Sequence, residues 1–259
     1  MDLGISGRKA IVCASSRGLG RGCAIALAEA GCDVVVNGRD AAAVEATANE
    51  IAKRFPVSVG TVVADVAAPE GQAALLAACP SPDILVNNNG GPPRRDFREL
   101  DREKIVAGVV QNMVTPIELI RAVIDGMAAR GFGRIVNVTS SSVLAPISGL
   151  DLSSGARAGL TAFLAGVARD VAAKNVTINN ILPGKMLTDR LVSGWKWASE
   201  KSGRSVEELK AESVATIPAG RFGTAEEFGE ICAFLCSVHA GYITGQNILV
   251  DGGSFAKAF

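Results

Sequence analysis

The chain has one tyrosine and one histidine, Tyr242 and His239, both near its C-terminal end. A site built from earlier segments therefore has neither a phenol nor an imidazole of its own. Net charge is lacking too. The 26 basic and 26 acidic residues cancel, and no long basic run stands out, which argues against a nucleic-acid partner. No N-terminal apolar stretch with a cleavage site is present and no apolar run approaches a membrane span, so a cytoplasmic protein without a membrane partner is expected. The six cysteines, Cys13, Cys23, Cys32, Cys79, Cys232 and Cys236, show no disulfide-framework spacing and read as reduced thiols. Cys232, Cys236 and His239 fall at helical spacing, but core thiols beside a helix-end histidine are the simpler reading, so no metal is expected. No repeat, low-complexity tract or linker divides the sequence, which reads as one domain over residues 1–259.

What is present is a regular alternation. Apolar β-type runs occur at Ala10–Val12, Val34–Val36, Val57–Val63, Ile84–Val86, Arg134–Val138, Thr177–Ile181 and Asn247–Val250. Helical patterns lie between them at Arg21–Ala30, Ala41–Arg54, Pro69–Ala78, Asp101–Arg130, Gly155–Lys174 and Ala225–Cys236. Near-continuous apolar strands separated by helices predict an α/β fold, a doubly wound parallel sheet of about seven strands with helices on both faces. The rhythm breaks at Leu187–Pro218, which holds Trp195, Trp197 and a charged helix near Val206–Ser213 and reads as a lid over a substrate site.

The stretch Lys9–Ala30 reads as strand, small-residue turn and helix, an arrangement that aims backbone N–H groups at a phosphate. Gly18 and Gly20 hold two glycine places of a dinucleotide-binding turn, while Ala14 stands where a first glycine is expected. A Cβ is costly in the left-handed region, so Ala14 is expected to keep a negative φ in a slightly rearranged turn. The second strand ends Asn37-Gly38-Arg39 with no acidic residue at its tip to accept from a ribose 2′-hydroxyl. Arg17 and Arg39 both approach that corner, where guanidinium groups bind a 2′-phosphate, so NADP(H) is expected over NAD(H).

Several further motifs then fall in one order. Cys13–Gly20 resembles a TGxxxGxG turn, and Asn87-Asn88-Asn89-Gly90 resembles NNAG with Asn89 in place of alanine. Asp65-Val66, Pro183-Gly184 and Thr188 match an adenine-side pair, a PG beside the nicotinamide and a carboxamide-contacting threonine. Ile243–Gln246 and Asp251–Gly253 resemble a closing ITGQ…VDGG. The chain thus resembles the short-chain dehydrogenase/reductase family, most of all its 3-oxoacyl-acyl-carrier-protein reductase and sugar dehydrogenase branch. The resemblance implies a Rossmann-type fold and an oxidoreductase acting on a small-molecule carbonyl or secondary alcohol. It also implies a cofactor site formed by Ala14, Ser16, Arg17, Gly18, Leu19, Gly20, Arg39, Asp65, Val66, Asn88, Asn89, Gly90, Pro183, Gly184 and Thr188. Asn89 is expected either to reach the ribose or a water with its polar head, or to crowd the pocket.

The family's chemistry uses an asparagine, a serine, a tyrosine and a lysine. Asn112 and Ser140 match the first two, but Ser153 replaces the tyrosine and Arg157 the lysine. A serine is a far weaker acid than a phenol, and an arginine stays protonated near neutral pH and cannot relay a proton. Losing general acid catalysis costs about 10²–10⁴-fold in rate. Lys185, expected beside the nicotinamide with a depressed pKa, and Asp151, expected on the loop before Ser153, are candidate substitute acids; Ser153 is itself a candidate helix cap. Three readings stay open: an NADP(H)-dependent oxidoreductase with an altered proton donor, a dinucleotide-binding sensor or structural protein without catalysis, and a non-redox enzyme on the same scaffold. Gly155, Gly159, Ala162 and Gly166 put a small-residue stripe on one helix face, which the resemblance turns into an expected homotetramer of 222 symmetry or a homodimer. Acyl-carrier-protein thioesters are implied by the resemblance alone; no basic patch specifies an acidic carrier protein, and only the scattered Arg94, Arg95 and Arg98 near the site mouth are available to meet one.

Overall fold

The computed structural model describes residues Met1–Ala256. Seven strands form one parallel sheet in the order β3-β2-β1-β4-β5-β6-β7. They are β1 (Lys9–Val12), β2 (Asp33–Gly38), β3 (Val59–Val63), β4 (Ile84–Asn87), β5 (Gly133–Val138), β6 (Val176–Pro183) and β7 (Asn247–Val250). Among the described residues nine helices connect them: α1 (Gly18–Glu29), α2 (Ala41–Arg54), α3 (Pro69–Ala78), α4 (Arg102–Val109), α5 (Thr115–Ala129), α6 (Asp151–Ala172), α7 (Asp189–Ser202), α8 (Val206–Ala215) and α9 (Ala225–Cys236). The order reverses between β1 and β4, and a crevice at such a switch point is where doubly wound sheets take ligands.

Strand alternation divides the core in two. Ala10, Val12, Val34 and Val36 face one side with α1 and α9, while Ile11, Cys13 and Val35 face the other with α3, α5 and α6. Helix α1 begins three residues earlier than its apolar pattern, at Gly18, and α6 begins at Asp151. The single pattern Asp101–Arg130 is interrupted by a π-turn at Val110–Val114 between α4 and α5. By length and mean hydropathy, 1.2, the run Arg102–Ala129 does reach the measure of a membrane span, against the sequence reading; Leu119, Ile120, Val123 and Met127 of it are buried in the second core. The segment after β6 contains an unforeseen helix, α7, ahead of α8, and the two carry a small core of Trp195, Ile217 and Phe222. Its neck is closed where Leu187 N–H donates to Gly223 O and Gly223 N–H to Lys185 O.

Two glycines let α1 and α9 touch. A Cβ on Gly22 would collide with the Ala225 carbonyl, and one on Gly229 with the carbonyl of Gly22. These are backbone atoms that cannot swing away. Gly229→Ala is expected to destabilise the protein by about 2 kcal/mol through overpacking. Thermal unfolding followed by circular dichroism should show a Tm lower by about 4–8 °C.

Candidate active site

The turn after β1 is held by Asn37, at the tip of β2. Its Oδ1 accepts from Ala14 N–H at 3.0 Å, and its Nδ2 donates to the Val62 and Ala64 carbonyls, each at 3.1 Å. Ser15 N–H donates to Asn37 O at 2.7 Å and Asn37 N–H to Ser15 Oγ at 2.9 Å. This grip holds Ala14 at φ 44, in the left-handed region, so the expected negative φ is wrong. The strain of a Cβ there, about 1–2 kcal/mol, is offset by bonds that the sequence motif did not reveal. Gly18 is also left-handed, at φ 56, and a Cβ on Gly20 would press on the Ala14 carbonyl and come within 2.7 Å of Asn88 Nδ2. Asn88 Nδ2 in turn donates to Ala14 O at 3.1 Å, tying the loop after β4 to the turn. A Cβ on Gly38 would lie 2.5 Å from Ser16 Oγ. The result is a close-packed cradle at the N-terminus of α1, with Leu19 at its first turn.

Around the cradle the remaining expected residues take defined places. Arg17 and Arg39 reach the β2 corner with largely exposed side chains; Arg17 pairs with Asp40 at 2.7 Å and Arg39 with Asp65 at 3.7 Å. Asp40 caps α2, accepting from Ala43 N–H, and the Arg17 hydrogen bond holds its carboxyl below the usual range. Asp65 Oδ1 accepts from Ala67 N–H, and Val66 is buried. Thr188 opens α7 with its methyl 3.7 Å from where a Cβ on Gly18 would lie. Gly184, after Pro183, donates its N–H to Val250 O at 2.9 Å. Gly90 N–H donates to Asn89 Oδ1, and Asn89 Nδ2 turns away from the cradle to Gln111 O at 3.3 Å in the π-turn. Asn89 thus lines a narrow cavity beside Asn88 and Asn112, with its amide held at both ends.

Arg157 is buried beside this cavity. It is 8% exposed and, among the described residues, has no carboxylate partner. Its Nη1 donates to Val138 O at 2.6 Å, its Nη2 to Asn89 O at 3.4 Å and its Nε to Ser153 Oγ at 3.2 Å. Three of its five N–H donors are used. Burial, and secondarily the charge of Arg190, bring its pKa down to about 10. Ser153 lies in the first turn of α6 rather than at its cap, which is Leu150, and its hydroxyl hydrogen is left free to donate. Asn112 sits in the π-turn, its Nδ2 on Gly108 O at 3.3 Å and its buried Oδ1 without a protein partner. Asn112, Arg157, Asn87 and Asn137 line one narrow cavity. Ser140 precedes a short 3-10 turn and accepts from Ser142 N–H at 3.1 Å.

The two candidate substitute acids are elsewhere. Lys185 donates to Ser213 O at 3.2 Å and Thr216 Oγ1 at 2.7 Å, bracing the end of α8, although burial does lower its pKa as expected. It does not line the cavity of Arg157. Asp151 is not on a loop but is the exposed first residue of α6. A further group escaped the sequence reading. Asn87, Asn137, Asn180 and Asn247 sit opposite one another on β4, β5, β6 and β7 and pass hydrogen bonds of 2.9, 3.0 and 2.8 Å along the row. The signal was an asparagine at the same register in four apolar strands. Of the cysteines and His239, Cys13 and Cys32 are pushed up to about 12 by burial, and His239 Nε2 lies 2.8 Å from Asp2 O.

A family model described as Enoyl-(Acyl carrier protein) reductase matches residues 13–254. The chain belongs to the short-chain dehydrogenase/reductase family. NADPH-dependent reductase BacG of Bacillus subtilis (strain 168) is 30% identical over 255 residues, spanning 96% of this chain and 98% of that protein. The 3-oxoacyl-acyl-carrier-protein reductase FabG of Aquifex aeolicus (strain VF5) is 31% identical over 262 residues, 98% of this chain and 100% of that one. The structure of L-sorbose reductase from Gluconobacter frateurii, complexed with NADPH and L-sorbose, superposes with a TM-score of 0.94 at 30% identity, covering 99% and 100% of the two chains. This chain keeps Ala14 in the turn after β1, Asn89 after β4, and Ser153 and Arg157 four residues apart in α6.

Asn37→Ala removes three side-chain hydrogen bonds and leaves Ala14 unsupported. It is expected to lower stability by about 3 kcal/mol. Denaturant unfolding should show a lower midpoint, and titration with NADPH at a temperature where the variant is folded should show weaker binding.

Proposed function

We infer that this protein is an NADP(H)-dependent oxidoreductase that interconverts a carbonyl and a secondary alcohol, with Ser153 and Arg157 in the roles of the usual tyrosine and lysine. The observation that carries this reading is Arg157, a cation with unused donors beside a serine hydroxyl at the mouth of a dinucleotide cradle. The cradle fits the cofactor: Gly20 and Gly38 let the Ala14 carbonyl, the Asn88 amide and the Ser16 hydroxyl close together at the N-terminus of α1, and two arginines stand at the corner of a 2′-phosphate. The ion pairs of Arg17 and Arg39 are exposed and weak, so a doubly charged phosphate competes with them. NADP(H), when bound, supplies or accepts the hydride.

The chain's own residues handle the oxygen. As carbonyl carbon gains hydride, its oxygen becomes an alkoxide. Ser153 Oγ–H donates a proton to that oxygen and regains one from water. Arg157, protonated throughout the neutral range, stabilises both the alkoxide and the transient serine oxyanion. Ser140 and Asn112 hold the carbonyl oxygen and the feeding water. The α7–α8 segment covers the site as a lid, with Lys185 bracing it. A second copy packs on the exposed face of α6, where Gly155 and Gly166 have nothing near them and Phe163 is half exposed. A Cβ on Gly159 would lie 2.9 Å from Met113 Sδ, so this position faces inward and the expected stripe is open only in part, and the assembly reading rests on Gly155, Ala162, Phe163 and Gly166. Acceptance of an acyl carrier protein finds less support: Arg98 is tied to Asp96 and Arg95 to Glu99.

Arg39→Glu is expected to weaken NADPH binding about 10–100-fold while leaving NADH binding within about twofold, as a charge-assisted contact is lost. Fluorescence titration of both nucleotides checks this; equal loss for both would remove the 2′-phosphate assignment. The pH profile carries the second test. Arg157 is charged below about 10 and neutral above it. Reductase activity, measured by NADPH oxidation on a carbonyl panel, should hold from neutral pH and fall as pH rises through that value. Ser153→Ala should reduce kcat about 10²-fold or more without changing NADPH affinity.

A further inference from the structure

The carbonyl-reducing reading leaves the substrate open, and the charges at the mouth narrow it. Three arginines gather there. Arg157 reaches Asn89 O from inside. Arg190, near the start of α7, donates to Gly91 O at 3.0 Å and Pro92 O at 3.2 Å. Arg94 follows the same Asn89–Pro93 stretch directly and is exposed. Its neighbour Arg95 donates its backbone N–H to Gly149 O at 3.0 Å, which sets this loop beside the start of α6 and Ser153.

No ion pair among the described residues includes Arg94, Arg157 or Arg190, whereas Arg95, Arg98, Arg204 and Arg221 nearby in the chain all have acidic partners. The carboxylates around the mouth are otherwise engaged or turned away. Glu212 is on Arg204, Asp96 is on Arg98 and Asp189 faces the α1 side, while Asp151, exposed at the start of α6, forms no ion pair with any of the three arginines. Burial lowers the pKa of Arg157 and of Arg190, and like charge adds to it, from Arg190 on Arg157 and from Arg94 on Arg190. One buried guanidinium, Arg157, and two exposed ones, Arg94 and Arg190, held along one stretch without counter-charge are suited to receive an anion.

Two sources have the required chemistry, an anionic group on the substrate and the phosphates of the cofactor. The phosphate cradle has its own cations, Arg17 and Arg39, on the far side of the turn. We propose that the reducible compound is an oxo-carboxylate whose carboxylate is received by Arg94 and Arg190 at the site mouth, with Arg157 behind them. The inference rests on the carbonyl-reducing reading for its turnover and not for its binding.

The experiment compares pyruvate, acetoacetate and phenylpyruvate with their methyl esters. Binding is followed by tryptophan fluorescence on protein saturated with NADP⁺, where no reduction occurs, and turnover by NADPH oxidation. At least one acid is expected to bind about tenfold or more tighter than its ester. Arg94→Gln and Arg190→Gln should each bring acid and ester to within about threefold while sparing the ester. Arg98→Gln, an exposed residue paired with Asp96, serves as the control and should preserve the preference. Arg94 is exposed, so its replacement keeps the test valid if Arg190→Gln loosens the loop. Acid-selective binding without turnover would uphold the anion site and overturn the oxidoreductase reading. No acid preference anywhere in the panel, or weaker NADPH binding in both variants with no change in acid preference, would overturn the proposal, the latter assigning the arginines to the cofactor's phosphates.

Discussion

A guanidinium enclosed by carbonyl oxygens, with no carboxylate facing it, sets the terms for the centre of this structure. Arg157 joins the end of β5, the loop after β4 and the first turn of α6 through three hydrogen bonds. Burying a charge this way is costly unless its donors are met. The protein buries a second arginine and settles it differently. Arg134, 1% exposed at the other end of β5, gives four bonds to Gly133, Asn175 and Ser237 and lies over the Phe132 ring at 4.3 Å. Arg134 is closed on itself and serves the fold. Arg157 keeps two of its donors in reserve and lies where strands end, beside the narrow cavity, which is the difference between the two buried cations.

The fold was legible because its signal is redundant. Each strand of a doubly covered parallel sheet is apolar throughout, and seven such runs spaced by helical patterns leave few alternatives. Three helices, Ala41–Arg54, Pro69–Ala78 and Ala225–Cys236, have the bounds their patterns predicted. The misses are local. Helix starts at Gly18 and Asp151 lie upstream of the apolar periodicity, because glycine and polar residues there give no hydrophobic signal. The π-turn at Val110–Val114 is one extra residue in a helical register, invisible to a periodicity count over so apolar a stretch.

The site was legible as a set of positions and less so as a set of contacts. Motif spacing named the residues of the cradle. It could not show that Ala14 is held in a left-handed conformation, since the residue responsible, Asn37, is 23 positions away. Nor could it place Lys185, which follows Pro183-Gly184 in sequence yet bends toward the end of α8. The asparagine row across β4–β7 belongs to the same class: its members are far apart in the chain, and only strand register brings them together. Contacts between distant segments are what a linear reading lacks.

The glycine contact between α1 and α9 has a consequence for how the protein comes into being. The helix that opens at the glycine turn is made within the first 30 residues, yet the backbone it rests on, at Ala225 and Gly229, arrives about 200 residues later. During synthesis, which adds residues at about 5–20 per second, α1 lacks its mate for roughly 10–40 seconds. A truncated or stalled product therefore carries the whole of α1 without the backbone surface against which its glycines are fitted.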